Sequence, residues 1–229
     1  LLLASPFLGG LDFGWTAIAP LSAQGTTIGK QMFLLAFVTA GFSSIFSGVN
    51  FVATVLTMRA PGMGWKRVPI FTWSVVATAI IQIMGTSVVA ASLIMVTFDR
   101  VLNTTFFSSD LGGNVLLYQH LFWYYSHPAV YIMILPAFGA ILEILPVFTR
   151  KPLFAYHIAA GGLLAITALS FVVWAHHMFT SGMWMLLKLP FMVNTELISI
   201  PTGVVFLAVL GTLWRAKMRF DSPMLWALA

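Results

Sequence analysis

Cysteine is absent from the chain, and charge nearly so: only 7% of its 229 residues are Asp, Glu, Lys or Arg. The first absence removes disulfides, thiolate metal ligands and iron-sulfur clusters, leaving histidine and carboxylate as the strong ligands available. The second excludes a soluble globular domain, in which about a quarter of residues are charged. What is abundant is apolar: 60% of residues are hydrophobic and the mean hydropathy is +0.97. The apolar runs exceed the ~18 residues that a spanning helix needs and do not alternate like the roughly 10-residue strands of a barrel. The composition therefore predicts an all-α, polytopic transmembrane helix bundle bathed in membrane lipid.

Five complete spans are expected, at about 31–58, 68–98, 115–148, 153–180 and 189–214, joined by short Pro/Gly or polar loops. Alternation then sorts the cations by side: Lys30, Arg100 and Lys188 on one, and Arg59, Lys66, Arg67, Arg150, Lys151, Arg215, Lys217 and Arg219 on the other. The second side should be cytoplasmic or matrix by the positive-inside rule. The net charge of +5 is thus a mark of topology, and no nucleic-acid partner is expected. The chain opens Leu1-Leu2-Leu3 without methionine and closes on Pro223-Met224-Leu225-Trp226, the beginning of another helix. It reads as residues 1–229 of a single transmembrane domain, an internal piece of a longer polypeptide.

The chemistry concentrates in Trp123-Tyr124-Tyr125-Ser126-His127-Pro128-Ala129-Val130-Tyr131. His127 and Tyr131 stand at i and i+4, one turn apart on a single helix face. A second pair, His176-His177, lies in the fourth span. Ionisable groups at membrane depth are costly and point to function. His127 precedes the inner end of the third span by about as much as His176 follows that of the fourth, so at ~1.5 Å per residue the two come out level. Adjacent residues diverge by ~100° on a regular helix, so both His176 and His177 reach one ion only if the helix is locally distorted. Three imidazoles with no thiolate suit copper, iron or zinc, and copper binds imidazole most tightly of these. His120 and His157, taken singly, read as hydrogen-bonded structural residues.

These residues belong to a longer set. Trp123-x-x-x-His127-Pro128-x-Val130-Tyr131, Ile134-Leu135-Pro136-x-Phe138-Gly139, Arg150-Lys151-Pro152-Leu153-Phe154, Trp174-Ala175-His176-His177-Met178-Phe179-Thr180, Ile200-Pro201-Thr202-Gly203 and Ser222-Pro223-Met224-Leu225-Trp226 follow one another collinearly. Gly14-Trp15-Thr16, Pro20-Leu21-Ser22 and the stretch from Asn50 to Met58-Arg59-Ala60-Pro61 add to them. Together they resemble subunit I, the catalytic subunit, of cytochrome c oxidase, a haem-copper oxygen reductase.

The resemblance implies a subunit of roughly twelve helices, five of them complete here by the length criterion for a span. It implies that His127, His176 and His177 ligate a mononuclear copper facing a haem iron, and that Tyr131, cross-linked to His127, supplies an electron and a proton as the O–O bond breaks. Trp123 resembles the tryptophan beside that centre, with plain aromatic packing as the alternative. Two haems belong to the full-length subunit, and their axial ligands lie outside this fragment. The implied activity is reduction of oxygen to water with electrons from cytochrome c or a quinol, coupled to proton translocation. The implied partners include the electron-entry subunit and other oxidase subunits. The isolated fragment is expected to be inactive.

Two positions depart from the family pattern. Ala129 stands where most members carry a glutamate that delivers protons. A subgroup lacking that glutamate carries Tyr-Ser before the histidine, as Tyr125-Ser126 does here, and this variant suggests a prokaryotic plasma membrane rather than a mitochondrial inner membrane. Tyr125 shares a face with Ala129, and because an unperturbed phenol ionises only near pH ~10, its hydroxyl is expected to relay protons by hydrogen bonding more readily than by ionising. Val205 replaces the lysine of a second proton path, of which Thr202 remains. Glu143, near the inner end of the third span, and Glu196, near the outer end of the fifth, are candidate substitutes. For each, an interfacial carboxylate is the alternative. Within the superfamily the competing reading is a nitric oxide reductase, against which Tyr131 and the three histidines argue. A proton or substrate transporter is the competing reading from another class.

Overall fold

The computed structural model describes residues 1–25 and 27–229. Among them helices dominate: α1 (Ile28–Thr57), α2 (Ile70–Val101), α3 (Val115–Thr149), α4 (Tyr156–Ser170), α5 (Met185–Leu197), α6 (Ser199–Leu213) and the short α7 (Ser222–Leu228). Five stretches are long and apolar enough to cross a membrane, namely α1, α2, α3, Tyr156–Met178 and Met185–Leu213. In α3, Asn114 caps the N-terminus by accepting from the Leu116 and Leu117 amides at 2.9 and 3.3 Å. Pro128, Pro136 and Pro146 sit inside α3 without ending it, a tolerance that spanning helices show more than soluble ones.

The last two spans differ from the uninterrupted helices expected. α4 stops at Ser170, and a 3-10 helix, Trp174–Met178, completes the fourth span. Hydroxyls prepare the break: Thr167 Oγ1 donates to the Leu163 carbonyl and Ser170 Oγ to that of Thr167. Asn194 of α5 then donates from Nδ2 to the Val172 carbonyl at 3.2 Å, satisfying a backbone group that the break releases. The fifth span is two segments meeting at Ile198, whose amide donates to the Asn194 carbonyl.

Helices α1, α2 and α3 pack in sequence, and α4 lies against α2 and α6. Lipid tails are as apolar as leucine, so close packing rather than water exclusion holds such helices together. Glycines allow that approach. A Cβ on Gly139 would meet the Ser74 side chain, and one on Gly162 would lie 3.2 Å from the Pro201 carbonyl oxygen. Ile81, Leu135, Leu142, Leu163 and Ile166 fill the resulting core, while Phe33, Leu34, Phe107 and Tyr118 form a second cluster toward the other end.

The two ends of the bundle are held by the charges that the loop arithmetic separated. At one end Lys30 pairs with Asp12 at 2.6 Å, and Arg100 donates to the carbonyls of Ser22, Gln24 and Thr27. At the other, Lys151 donates to the Trp214 carbonyl at 2.6 Å and the Arg219 amide to that of Phe148.

Candidate metal centre

The break in the fourth span brings three histidines together. On the 3-10 turn His176 and His177 both face α3, and with His127 they offer ligand atoms that all lie within 4.8 Å of one another. Among the described residues this is the group of metal-ligating side chains that could hold an ion. His127 is buried, His176 half-buried and His177 exposed. His127 Nδ1 is 3.2 Å from His177 Nε2, an approach suited to two lone pairs converging on one cation. The distortion that a regular helix would have needed is thus present at the two histidines.

Each ring is oriented by a neighbour. His127 Nε2 lies 3.3 Å from the Tyr131 hydroxyl, on the side of the ring opposite the one facing His177. His176 Nδ1 pairs with Thr195 Oγ1 at 2.9 Å, which leaves Nε2 for an ion. His177 lies face to face with Trp123, ring centroids 4.1 Å apart and planes 7° apart. The turn itself is wedged by Trp174, which packs edge-on against Tyr124 and Phe191 and donates from Nε1 to His120 Nδ1 at 3.4 Å. His120 is therefore a structural acceptor, as its isolation in the sequence suggested, and His157 packs edge-on against Tyr156. Thr195 went unnoticed in the sequence. Its only signal was the polar triplet Asn194-Thr195-Glu196 inside an apolar run.

The remaining candidates are dispersed. Tyr125 rests on Gly85 of α2 and, with Ser126, lines a cavity of about 190 Å³ that also contains Thr86 and Trp15. Glu196 lines a depression beside His176 with Phe179 and Met192. Glu143 is far from the histidines, at the start of α2, where its Oε2 accepts from the Phe71 amide at 3.2 Å. Thr202 Oγ1 donates within its own helix to Ile198, and Val205 is buried in the core. The structure thus brings His127, His176, His177, Tyr131 and Trp123 together and leaves Glu143 and Thr202 apart from them.

A family model described as "Cytochrome C and Quinol oxidase polypeptide I" matches residues 1–229. Cytochrome c oxidase subunit 1 of Thermostichus vulcanus is 46% identical over 228 residues, covering 100% of this chain and 41% of that protein. The same-named protein of a Synechocystis strain is 46% identical over 227 residues, covering 99% of this chain and 41% of its own length. A probable cytochrome c oxidase subunit 1-alpha of Streptomyces coelicolor is 45% identical over 221 residues, with 96% and 38% covered. The chain spans about two fifths of the length of these relatives.

Proposed function

Because the chain belongs to the cytochrome c and quinol oxidase polypeptide I family, we propose that it forms part of the catalytic subunit of a terminal respiratory oxidase. That subunit reduces oxygen to water at a haem-copper centre and couples the reaction to proton translocation. The observation that carries this reading is the convergence of three imidazoles with Tyr131 where the fourth span breaks. Their donor set fits copper: neutral nitrogen ligands, no thiolate, and a second partner orienting each ring.

His127 through Nδ1, His177 through Nε2 and His176 through Nε2 would hold the copper. Bound copper, acting with a haem, would supply the oxygen-binding and electron-transfer chemistry. The chain's own residues hold and aim. Thr195 fixes the tautomer of His176, Trp123 fixes the plane of His177, and Tyr131 keeps a hydroxyl proton one contact away from His127 Nε2. Tyr125 and Ser126 line the cavity on the α2 side of His127, a position from which a hydroxyl relays protons where Ala129 offers no carboxylate. Glu143 belongs to the inward side and Glu196 to the level of the centre. The axial ligands of the two haems lie in parts of the subunit beyond this chain. Cytochrome c or a quinol is the donor, and a prokaryotic plasma membrane is the location, in keeping with the cyanobacterial and actinobacterial relatives.

The deciding experiment measures oxygen uptake by the full-length parent enzyme with reduced cytochrome c or quinol, beside nitric oxide consumption on the same preparation. Rapid oxygen uptake with little nitric oxide turnover supports the oxidase. Dominant nitric oxide consumption would replace it with the reductase of the same superfamily.

A further inference from the structure

Helix α2 carries Ser74, Thr78, Gln82 and Thr86 at intervals of four residues. Successive members of such a series rise ~6 Å and turn ~40°, so they form a shallow spiral stripe rather than scattered positions. Its surroundings are mostly apolar. Ser74, Thr78 and Thr86 are buried, Oγ1 of Thr86 is enclosed beside the Tyr125 hydroxyl, and Oε1 of Gln82 is enclosed without any hydrogen-bond partner among the described residues. Orphaned polar atoms of this kind are expensive at membrane depth and call for water or another donor.

Helix α1 packs closely on this stripe and leaves space for water at its Thr86 end. Gln82 and Thr86 project toward α1 where it is smallest: a Cβ on Gly48 would lie 3.4 Å from that of Gln82, and one on Gly41 would lie 3.2 Å from the Thr86 methyl. Between those glycines Ser44 joins Thr86, Tyr125 and Ser126 around the cavity of about 190 Å³. A water occupies roughly 30 Å³ and needs two to four polar partners, and the cavity supplies both space and partners. Lower down, Ser74 and Thr78 donate to the Phe71 and Ser74 carbonyls, at 2.7 and 2.9 Å, and keep their oxygen lone pairs free to accept. The stripe's inner end lies beside Glu143, which accepts from the Phe71 amide and lines a cleft of about 400 Å³ with Lys66, Arg67 and Tyr156.

We infer that this stripe is a water-bridged proton path along α2, running from the Glu143 cleft on the inner side to the cavity at Tyr125. It rests on the oxidase reading and gives that reading a route from the inner side that does not pass through Val205. A proton entering at the Glu143 carboxylate passes along bridging waters and hydroxyls. Each link accepts one proton and releases another, so only charge is displaced.

Two readouts test it in the full-length enzyme. An experimental map that shows water should place ordered molecules within hydrogen-bond distance of Gln82 Oε1 and Thr86 Oγ1. Side chains from the rest of the subunit capping both atoms would overturn the path. In vesicles, Thr86→Val and Gln82→Leu should each slow proton uptake from the inner side during a single turnover by ~10-fold, with Thr86→Ser keeping the rate and metal content unchanged. Uptake at the parental rate in the double variant would also overturn it. A parent enzyme that reduces no oxygen would instead remove the oxidase reading, and the water positions would still decide whether the α2 path exists.

Discussion

The indole of Trp123 and the imidazole of His177 lie nearly parallel, 4.1 Å between centroids. Trp123 is held in turn by edge-on contacts with Phe122 and Trp15. The plane of one proposed ligand is therefore set by aromatic contact rather than by a hydrogen bond. Trp123→Ala should remove about 0.5–1.5 kcal/mol of ring contact beyond simple burial and loosen copper at His177. Copper retained after dialysis against a chelator should fall in the order parent, Trp123→Phe, Trp123→Ala.

Thr195 acts on the same centre from another helix. Thr195→Val keeps the volume and deletes the oxygen 2.9 Å from His176 Nδ1. Metal affinity of the full-length enzyme should drop by roughly 10–100-fold, read by competition with a chelator, while Thr195→Ser stays near the parent.

Removing an imidazole outright is a stronger change. His127→Ala should abolish copper binding by elemental analysis, because two nitrogens on adjacent residues do not enclose an ion. Helix content should stay at the parental level, since the packing of α3 against α2 does not run through His127.

Gly139 reports on the α2–α3 seam. A Cβ there meets the Ser74 side chain and lies 3.2 Å from the Phe71 Cα, so the backbone itself blocks relief. Gly139→Ala should destabilise the subunit by about 1–3 kcal/mol, measured by unfolding in mixed micelles. Gly203, with open space at its Cβ, should accept alanine with little effect.

The Asp12 and Lys30 pair is asymmetric, with side chains 58% and 4% exposed. Asp12→Asn leaves a buried ammonium whose other acceptor is the Gln24 carbonyl at 3.0 Å. The loss should be about 1–2 kcal/mol, below the figure for a fully buried pair because water reaches the carboxylate. Lys30→Met removes the charge together with its desolvation cost, so its thermal midpoint in detergent should lie above that of Asp12→Asn.

Hydropathy alone located the spans to within a few residues, because a membrane rewards long apolar runs regardless of what they pack against. It could not show the interruption after Ser170. Nothing in Ser170-Phe171-Val172-Val173 forbids a helix, and the break is supported by Asn194 on another span, which donates to the Val172 carbonyl. Val205 was visible as a missing lysine, but the stripe from Ser74 to Thr86 passed unremarked, since hydroxyls inside a helix usually bond to their own backbone.

By itself the sequence determined that the chain has long apolar spans, how its cations divide between the two ends of the bundle, which histidines come out level on neighbouring spans and that His127 and Tyr131 share a face. These follow from composition and from the period of one helix. Only the tertiary structure decided that His176 and His177 turn toward His127 together, that Thr195 and Trp123 aim them, and that Gln82 Oε1 lies enclosed without a partner among the described residues. Those relationships join residues distant in the chain, and their distances depend on how closely glycine faces let the helices approach, a property of pairs of helices that no single segment contains.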